Sequence, residues 1–162
     1  MIVHMKPLYT AIATASGDGR NGRSESSDGL LAVDVRVPVE MGGAGGATNP
    51  EQLFAAGYAA CFHSALKLVG RGSDLTGSTV TAHVSLGALD AGGYGLGVEL
   101  VVSAPALDHD SALALVEKAH EVCPYSNATR GNATTDRTTF TPAAPRTFTL
   151  GVQYTFTVNK MK

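Results

Sequence analysis

Residues 48–62 read TNPEQLFAAGYAACF, and this stretch opens with a complete helix start signal. Asn49 stands where its side chain can cap the first turn, and Pro50 follows at the first helical position, where its missing N–H costs nothing. Gln52 completes the signal at the third helical position. The next strong terminator is Gly70, so the pattern predicts a long helix that ends at about residue 69.

The middle of this helix, residues 53–62, is apolar on every side. A helix with no polar face is buried all round in a folded protein. A chain of 162 residues can hardly enclose such a helix alone. We therefore infer that a second subunit covers part of it.

Alternation with a period of two marks further stretches of the chain, in which every second residue is apolar. Such half-buried strands suit an antiparallel sheet. A second, amphipathic helix is predicted over roughly 109–122, ending before Pro124. Together these elements predict a single domain of the α+β class. The strand candidates are residues 31–37, 80–86, 96–102 and 148–158, with 8–15 as a weaker fifth.

Composition excludes several classes of partner. Twelve Lys and Arg against 14 Asp and Glu give a net charge of −2, and no long basic run is present, so neither nucleic acid nor an anionic membrane is expected as a partner. The longest uncharged apolar run is about half of the roughly 20 residues that cross a bilayer. The first residues contain one Lys and then Pro7 without an apolar segment, so we expect no signal peptide and a cytoplasmic location.

Two cysteines are the most informative residues for chemistry. A helical cysteine such as Cys61 is often only a small buried hydrophobe. Cys123 stands directly before a proline at a helix end, which is an unusual position for a cysteine that only fills space in a core. In a cytoplasmic chain a reduced, reactive or metal-binding pair is more plausible than a permanent disulfide. If the fold brings the two together, a thiolate and a resolving thiol are both present.

A reactive thiolate needs a cation, because only about 3% of a thiol with a pKa near 8.5 is ionised at pH 7. Arg20 is a candidate for that cation and Glu51 for the carboxylate that orients it, although each could equally be a surface charge. Glu51 and Cys61 lie ten positions apart, about 15 Å along one helix. A site that uses both therefore needs a kinked helix or a Glu51 from a partner subunit.

A metal site is the competing interpretation. Cys61, His63, His120 and Cys123 offer two thiolates and two imidazoles, which is a zinc ligand set. Cys61 and His63, however, point about 200° apart on a helix, so they cannot both face one ion. The alternative function is a Cys/His metal-binding or redox-sensing module without turnover.

The same residues resemble a known family. Residues 48–62 strongly resemble the peroxidatic-cysteine helix of the organic hydroperoxide resistance branch of the OsmC-like superfamily. Residues 122–132, VCPYSNATRGN, resemble the resolving-cysteine motif that separates this branch from its osmotically induced relatives. Residues 9–20, YTAIATASGDGR, resemble the N-terminal strand and arginine loop.

The resemblance implies an intertwined homodimer of α+β subunits, with antiparallel sheets packed around two buried helices and active sites at the dimer interface. It implies a peroxidase without metal or other cofactor that reduces organic hydroperoxides to alcohols. Cys61 would be the peroxidatic thiolate and Cys123 the resolving thiol, linked in turn by a disulfide. Arg20 and Glu51 would form the activating ion pair.

The resemblance also supplies the reductant, which would be a lipoyl dithiol carried by lipoylated proteins. Apolar residues around Cys61 are expected to favour alkyl or lipid peroxides over hydrogen peroxide. We predict Phe54, Tyr58 and Phe62 as the substrate-binding side chains.

Two features depart from the family pattern. The arginine loop is one residue longer than usual, which makes Arg23 a rival of Arg20. The family normally passes from its Arg-Gly-Asn motif straight into the last strand. Here residues 133–146 intervene, with two prolines and no periodicity, so the single domain over 1–162 is predicted to carry a loop insertion there.

Overall fold

The structure is a computed structural model of the chain. It describes residues 6–130 and the backbone of 133–137 and 149–156. Two compact units make up the chain, Met1–Leu53 and Phe54–Lys162; the organisation as one domain stays a prediction. The elements are, in chain order, β1 Ala13–Ser16, β2 Arg23–Ser26, β3 Ala32–Asp34, α1 Pro50–Val69, β4 Thr79–Ala88, β5 Tyr94–Ser103, α2 His109–Val122, α3 Pro124–Thr129, β6 Ala133–Arg137 and β7 Thr149–Phe156.

The first unit contains an antiparallel sheet in the order β1-β2-β3. Its register pairs Ala13 with Ser26 and Arg23 with Asp34. Both strand candidates of this region are present but shorter than the alternation predicted. The apolar pattern of residues 31–37 continues beyond β3, where the buried Val35 forms a bridge to Thr48.

The second unit contains an antiparallel sheet in the order β4-β5-β7-β6. The two long strands pair over their whole length, from Thr79 with Ser103 to Ala88 with Tyr94. Along β4 the apolar residues are half-buried against the core while Thr81, His83 and Ser85 are exposed. The predicted two-faced strands, and with them the α+β class, are confirmed here. The outermost residues of the stretch 148–158 lie outside the described part of the chain.

Helix α1 begins and ends where the sequence predicts. The Gln52 N–H donates to Asn49 Oδ1 at 2.9 Å, which caps the first turn. At the other end, the Gly70 N–H donates to the Leu66 carbonyl at 2.9 Å. Helix α2 is capped by Asp108, whose side chain accepts from the Ser111 N–H.

The core of the second unit lies between α1, α2 and one face of the β4-β5 pair. The apolar sequence of α1 predicts burial on every side. In the single chain one side is open, since Ala56 and Ala60 are exposed there. Leu68 continues that side and is 53% exposed. Cover by a second subunit stays a prediction. The core residues are Tyr58, Phe62, Ala65, Leu66, Leu75, Val98, Leu100, Val102, Ala104, Ala112, Leu115, Val116, Ala119 and Cys123.

Three elements differ from the expectation. No strand was predicted at β2. Pro124 ends α2 as predicted, but it also starts the six-residue helix α3, because a proline is well suited to a first helical position. The predicted loop over 133–146 is wrong for its first five residues, which form β6 and pair with β7. Residues 138–146 lie outside the described part of the chain. Across the described residues, no helix is long and apolar enough to cross a membrane.

Candidate active site

The two cysteines, 62 positions apart in sequence, are neighbours in the second unit. Cys61 lies on α1, and Cys123 lies at the junction where α2 ends and α3 begins. Their Sγ atoms are 3.6 Å apart, with Cys123 donating to Cys61, and both are free thiols. Cys123 is fully buried, whereas Cys61 is only half-buried. The two are therefore close enough to react with each other, and one of them is open to a reactant from outside.

The surroundings of Cys61 act on its acidity in opposite directions. Burial raises the pKa of the Cys61 thiol, because a thiolate loses solvation there, and the hydrogen bond and charge of Cys123 raise it further. A hydrogen bond from the Tyr125 backbone N–H to the sulfur lowers it. The net result is a raised pKa, so these groups alone do not hold Cys61 as a thiolate.

A cavity of about 380 Å³ opens beside Cys61. Carbon-rich side chains dominate its lining, which makes it suited to an alkyl group. The residues that line it with Cys61 are Ser64, Ala65, Leu68, Val122 and Pro124.

The side chains predicted to contact the substrate lie elsewhere. Tyr58 and Phe62 have 0% exposed surface and pack in the core, so neither lines this cavity. Phe54 is half-buried and packs edge-on against Tyr58 and Tyr125, with ring centroids 5.9 and 5.7 Å apart. The helix is apolar on every side, so its sequence did not show which face turns to the core. A substrate contact for Phe54 stays a prediction.

Helix α3 contributes groups that sequence reasoning missed. Besides the Tyr125 N–H, it supplies Ser126, a fully buried hydroxyl that pairs with the Tyr58 hydroxyl at 3.0 Å. Tyr125 and Ser126 both belong to residues 122–132, the segment that resembles the resolving-cysteine motif. The signal available was the proline after Cys123, which marks a possible helix start as well as a helix end.

An ion pair lies in the first unit. The Arg20 guanidinium donates to Glu51 Oε2 at 2.5 Å, joining a short helical turn at Gly19–Asn21 to the first turn of α1. This contact raises the pKa of Arg20 and lowers that of Glu51 against a smaller, opposing effect of burial. The rival Arg23 instead pairs with Glu25 and Asp34 on the exposed side of the small sheet. The geometry therefore favours Arg20 as the partner of Glu51.

In the described part of the chain, the candidate metal ligands are not gathered into one site. Within the described residues, no group of three or more His, Cys, Asp and Glu side chains could hold an ion. His63, a proposed ligand, shares a hydrogen bond with Ser78 at 3.1 Å.

Comparison with known proteins gives a consistent result. The family described as OsmC-like protein matches residues 42–137. An organic hydroperoxide resistance protein of Xanthomonas axonopodis pv. citri (strain 306) is 53% identical over 131 residues, covering 78% of this chain and 91% of that protein. The organic hydroperoxide resistance protein OhrA of Bacillus subtilis (strain 168) is 52% identical over 136 residues, covering 78% and 92%.

A solved structure matches equally well. The crystal structure of an organic hydroperoxide resistance protein OsmC from Legionella pneumophila, also described as a predicted redox protein, is 56% identical to this chain with a TM-score of 0.75. The match covers 78% of this chain and 93% of that one. Both sequence and fold therefore agree on one group of relatives.

Proposed function

Because the chain belongs to the organic hydroperoxide resistance proteins of the OsmC-like family, we propose that it is a cysteine peroxidase that reduces organic hydroperoxides to alcohols. The observation that carries the proposal is the thiol pair. Cys61, half-buried at an apolar cavity, lies 3.6 Å from the fully buried Cys123. A nucleophile and its resolving partner need this arrangement.

In the first step the Cys61 thiolate attacks the terminal oxygen of the hydroperoxide. The oxygen–oxygen bond breaks, and the sulfur keeps the terminal oxygen as a sulfenic acid. The departing alkoxide takes up the proton that the thiol released and leaves as the alcohol. Cys61 is thereby oxidised by two electrons and the peroxide is reduced by two.

In the second step the Cys123 thiol condenses with the sulfenic acid. The sulfur–sulfur bond forms, the sulfur–oxygen bond breaks, and water leaves with the Cys123 proton. A disulfide has its sulfurs about 2.05 Å apart, so the pair must close by about 1.5 Å from 3.6 Å. This small movement supports a fast resolving step that protects Cys61 from over-oxidation.

Activation of Cys61 requires a cation, because burial and Cys123 raise its pKa. We assign this role to Arg20, held by Glu51. Helix α1 runs unbroken from Pro50 to Val69, so Glu51 and Cys61 on the same helix are separated by ten residues, or about 15 Å. In the homodimer that we propose, the ion pair beside Cys61 comes from the partner subunit, so the separation along one helix does not matter. The exposed Ala56 and Ala60 on α1 are the surface that such a partner would cover.

The disulfide must be reduced by an external dithiol, for which we propose a lipoyl group on a lipoylated protein. One thiolate of the dithiol attacks the disulfide and forms a mixed disulfide, which the second thiol then breaks. Both cysteines return as thiols and the reductant leaves as a cyclic disulfide. The protein needs no cofactor of its own in this cycle.

The cavity supports a preference for organic substrates. Ala65, Leu68 and Val122 offer apolar surface beside the reacting sulfur. An alkyl chain gains about 25 cal/mol for each Å² of apolar surface that it buries there. Hydrogen peroxide has no apolar part and gains nothing from this lining.

The proposal is tested by turnover with three reductants. Consumption of tert-butyl hydroperoxide is followed with dihydrolipoamide, glutathione or reduced thioredoxin, alongside the Cys61→Ser variant. We expect sustained consumption with dihydrolipoamide only, and background consumption by the variant. Full activity of the variant would exclude Cys61 as the nucleophile, and equal rates with glutathione would exclude the lipoyl assignment.

A further inference from the structure

We propose that the Tyr58 hydroxyl is a positioning group for the resolving step, because its bond to Ser126 holds α3, and with it Cys123, against Cys61. This inference rests on the proposed peroxidase function. Tyr58 does not line the cavity beside Cys61, and the partners of its hydroxyl are on α3 and are not the sulfurs. The sequence suggested Tyr58 only as a substrate contact.

The geometry consists of two pairs between the same two segments. Cys61 and Cys123 form the thiol pair, with their sulfurs 3.6 Å apart. Tyr58 and Ser126 form the hydroxyl pair, with their oxygens 3.0 Å apart. Tyr58 precedes Cys61 by three residues on α1, and Ser126 follows Cys123 by three residues. Since residues three apart on a helix are neighbours on one face, each hydroxyl-bearing residue lies about one helical turn from its cysteine.

Burial makes the hydrogen bond between Tyr58 and Ser126 costly to break. Tyr58 and Ser126 are both 0% exposed, so neither hydroxyl can exchange its partner for water. Desolvation raises the pKa of Tyr58, which keeps its proton available for the bond. A buried hydroxyl left without a partner is costly. Movement of α3 away from α1 would break this bond, and the fold therefore resists it.

Packing adds to the same restraint. The Tyr125 ring lies 5.4 Å from the Tyr58 ring, centroid to centroid. It approaches α1 at Gly57, where an added Cβ would stand 2.7 Å from Tyr125 Oη. The rings alone therefore place α3 near α1. The hydroxyl pair adds the directional bond that selects one position along the helix.

That position matters for two atoms on α3. Cys123 is the residue that caps the start of α3, so a shift of α3 moves its sulfur. The Tyr125 backbone, two residues later, lies near enough to the Cys61 sulfur to lower the pKa of that thiol through a hydrogen bond. In the resolving step the sulfenic acid and the Cys123 thiol become a disulfide and water, which requires Cys123 to reach the Cys61 sulfur directly. A loosened α3 spends less time within reach, and the step slows.

The experiment separates the two chemical steps. Reduced protein is mixed with limiting tert-butyl hydroperoxide, and sulfenic acid formation and disulfide formation are timed separately by rapid quench and mass spectrometry. Tyr58→Phe removes the hydroxyl and keeps the ring, while Tyr94→Phe makes the same change at an exposed residue outside the site. We expect Tyr58→Phe to slow disulfide formation about tenfold, as suits the loss of one buried hydrogen bond. Sulfenic acid formation should change less than about threefold, and excess peroxide should convert Cys61 to sulfinic acid.

Equal slowing of both steps, or no change in either, would overturn the proposal. If Tyr58→Phe does not fold, Ser126→Ala combined with Thr129→Val removes both α3 hydroxyls that lie within hydrogen-bonding distance of the Tyr58 hydroxyl, at 3.0 and 3.4 Å, and must meet the same expectation. A second arm is independent of peroxidase activity: diamide takes two hydrogen atoms from the thiol pair and closes the disulfide directly. Slower closure by Tyr58→Phe in diamide supports the positioning role even if wild-type protein fails to react with peroxide, and unchanged closure refutes it.

Discussion

The thiol pair of the second unit and the ion pair of the first are opposite kinds of site. Cys61, in the middle of α1, and Cys123, at the end of α2, are free thiols that are buried to different degrees. Arg20 and Glu51 are charged, with side chains 37% and 15% exposed. The thiol pair has the geometry for redox chemistry but a raised Cys61 pKa. The ion pair has the charge that lowers such a pKa and contains no nucleophile.

The difference shows how the proposed chemistry is divided along the chain. A buried dithiol is easily held by apolar packing, yet the same burial disfavours the thiolate. A guanidinium keeps its charge when partly desolvated, and a carboxylate orients it. The proposed chemistry therefore needs a thiol pair and a cation, and the expected effects of substitutions separate the two contributions.

The largest effect is expected at the resolving thiol. Cys123→Ser should complete one rapid turnover and then stop, because the Cys61 sulfenic acid finds no second thiol. Excess peroxide should then add oxygen to Cys61, measured as a sulfinic acid by intact mass. Sustained turnover by Cys123→Ser would show that an external thiol resolves the sulfenic acid, and the thiol pair would lose its assigned role.

A large effect is expected at Arg20. Without its charge, burial and Cys123 set the pKa of Cys61, and the thiolate fraction at pH 7 falls. We expect Arg20→Ala to lower the single-turnover rate at pH 7 about 100-fold and to displace its pH profile upward, because the pKa of Cys61 rises when the cation is lost.

The matched control for Arg20 is Arg23, an exposed neighbour that pairs with Glu25 and Asp34. Arg23→Ala should change the rate less than about twofold, as expected for an exposed ion pair. Comparable losses in the two variants would mean that general positive charge, and not the pairing with Glu51, activates the thiol.

An intermediate effect is expected at Gly57. Its missing side chain admits Tyr125, and a methyl group there would stand 2.7 Å from the phenol oxygen. Overpacking of this kind costs typically about 1–3 kcal/mol. Alanine gains about 1 kcal/mol over glycine inside a helix, so Gly57→Ala should lower the free energy of unfolding in urea by at most about 2 kcal/mol. Gly87→Ala, where an added Cβ meets nothing within 4 Å, should not lower it. Equal stability of both variants would show that α3 adjusts freely.

The smallest effect concerns the ion pair and pH. The hydrogen bond from Arg20 lowers the pKa of Glu51 below its ordinary value. Its contribution to stability is therefore fully present above the unfolded pKa, near 4.3, and is lost as pH falls through the lower folded pKa. Water screens Arg20, so the contribution is less than about 1 kcal/mol.

Urea titrations across pH test this contribution. Wild type should exceed Glu51→Gln in stability at neutral pH, and the difference should shrink as pH falls below the ordinary carboxyl pKa and vanish below the lowered folded pKa of Glu51. Arg20→Met removes the other partner and should give the same low-pH profile as Glu51→Gln. A difference that persists in acid would assign the stability to something other than the charge pair.

Much of the fold was predictable because its signals are local. The Asn49 cap and Gly70 bounded α1, and alternation found the faces of β4 and β5. Helix α3 was missed because six residues show no period and a proline signals both an end and a start. β6 was missed because its pairing with β7 is not local and its register is interrupted between Ala133 and Asp136.

In the candidate site, too, features carried by local motifs were predictable, and contacts between distant segments were not. Both cysteines and the Arg20–Glu51 contact were predicted from motif positions, and the structure brings each pair together. Tyr58 and Phe62, predicted as substrate contacts, are buried in the core, because a helix apolar on every side does not reveal which face turns inward; their contact with substrate stays a prediction. The Tyr58–Ser126 bond joins residues 68 positions apart, and no local pattern indicates such a contact.

The most direct test of the thiol pair counts free thiols after one equivalent of tert-butyl hydroperoxide is added to reduced protein, with hydrogen peroxide in parallel. We predict rapid loss of two thiols per chain, faster with the organic peroxide, and a Cys61–Cys123 disulfide within one chain. Persistence of both thiols would contradict the account, since two sulfurs 3.6 Å apart would then serve packing and not peroxide reduction.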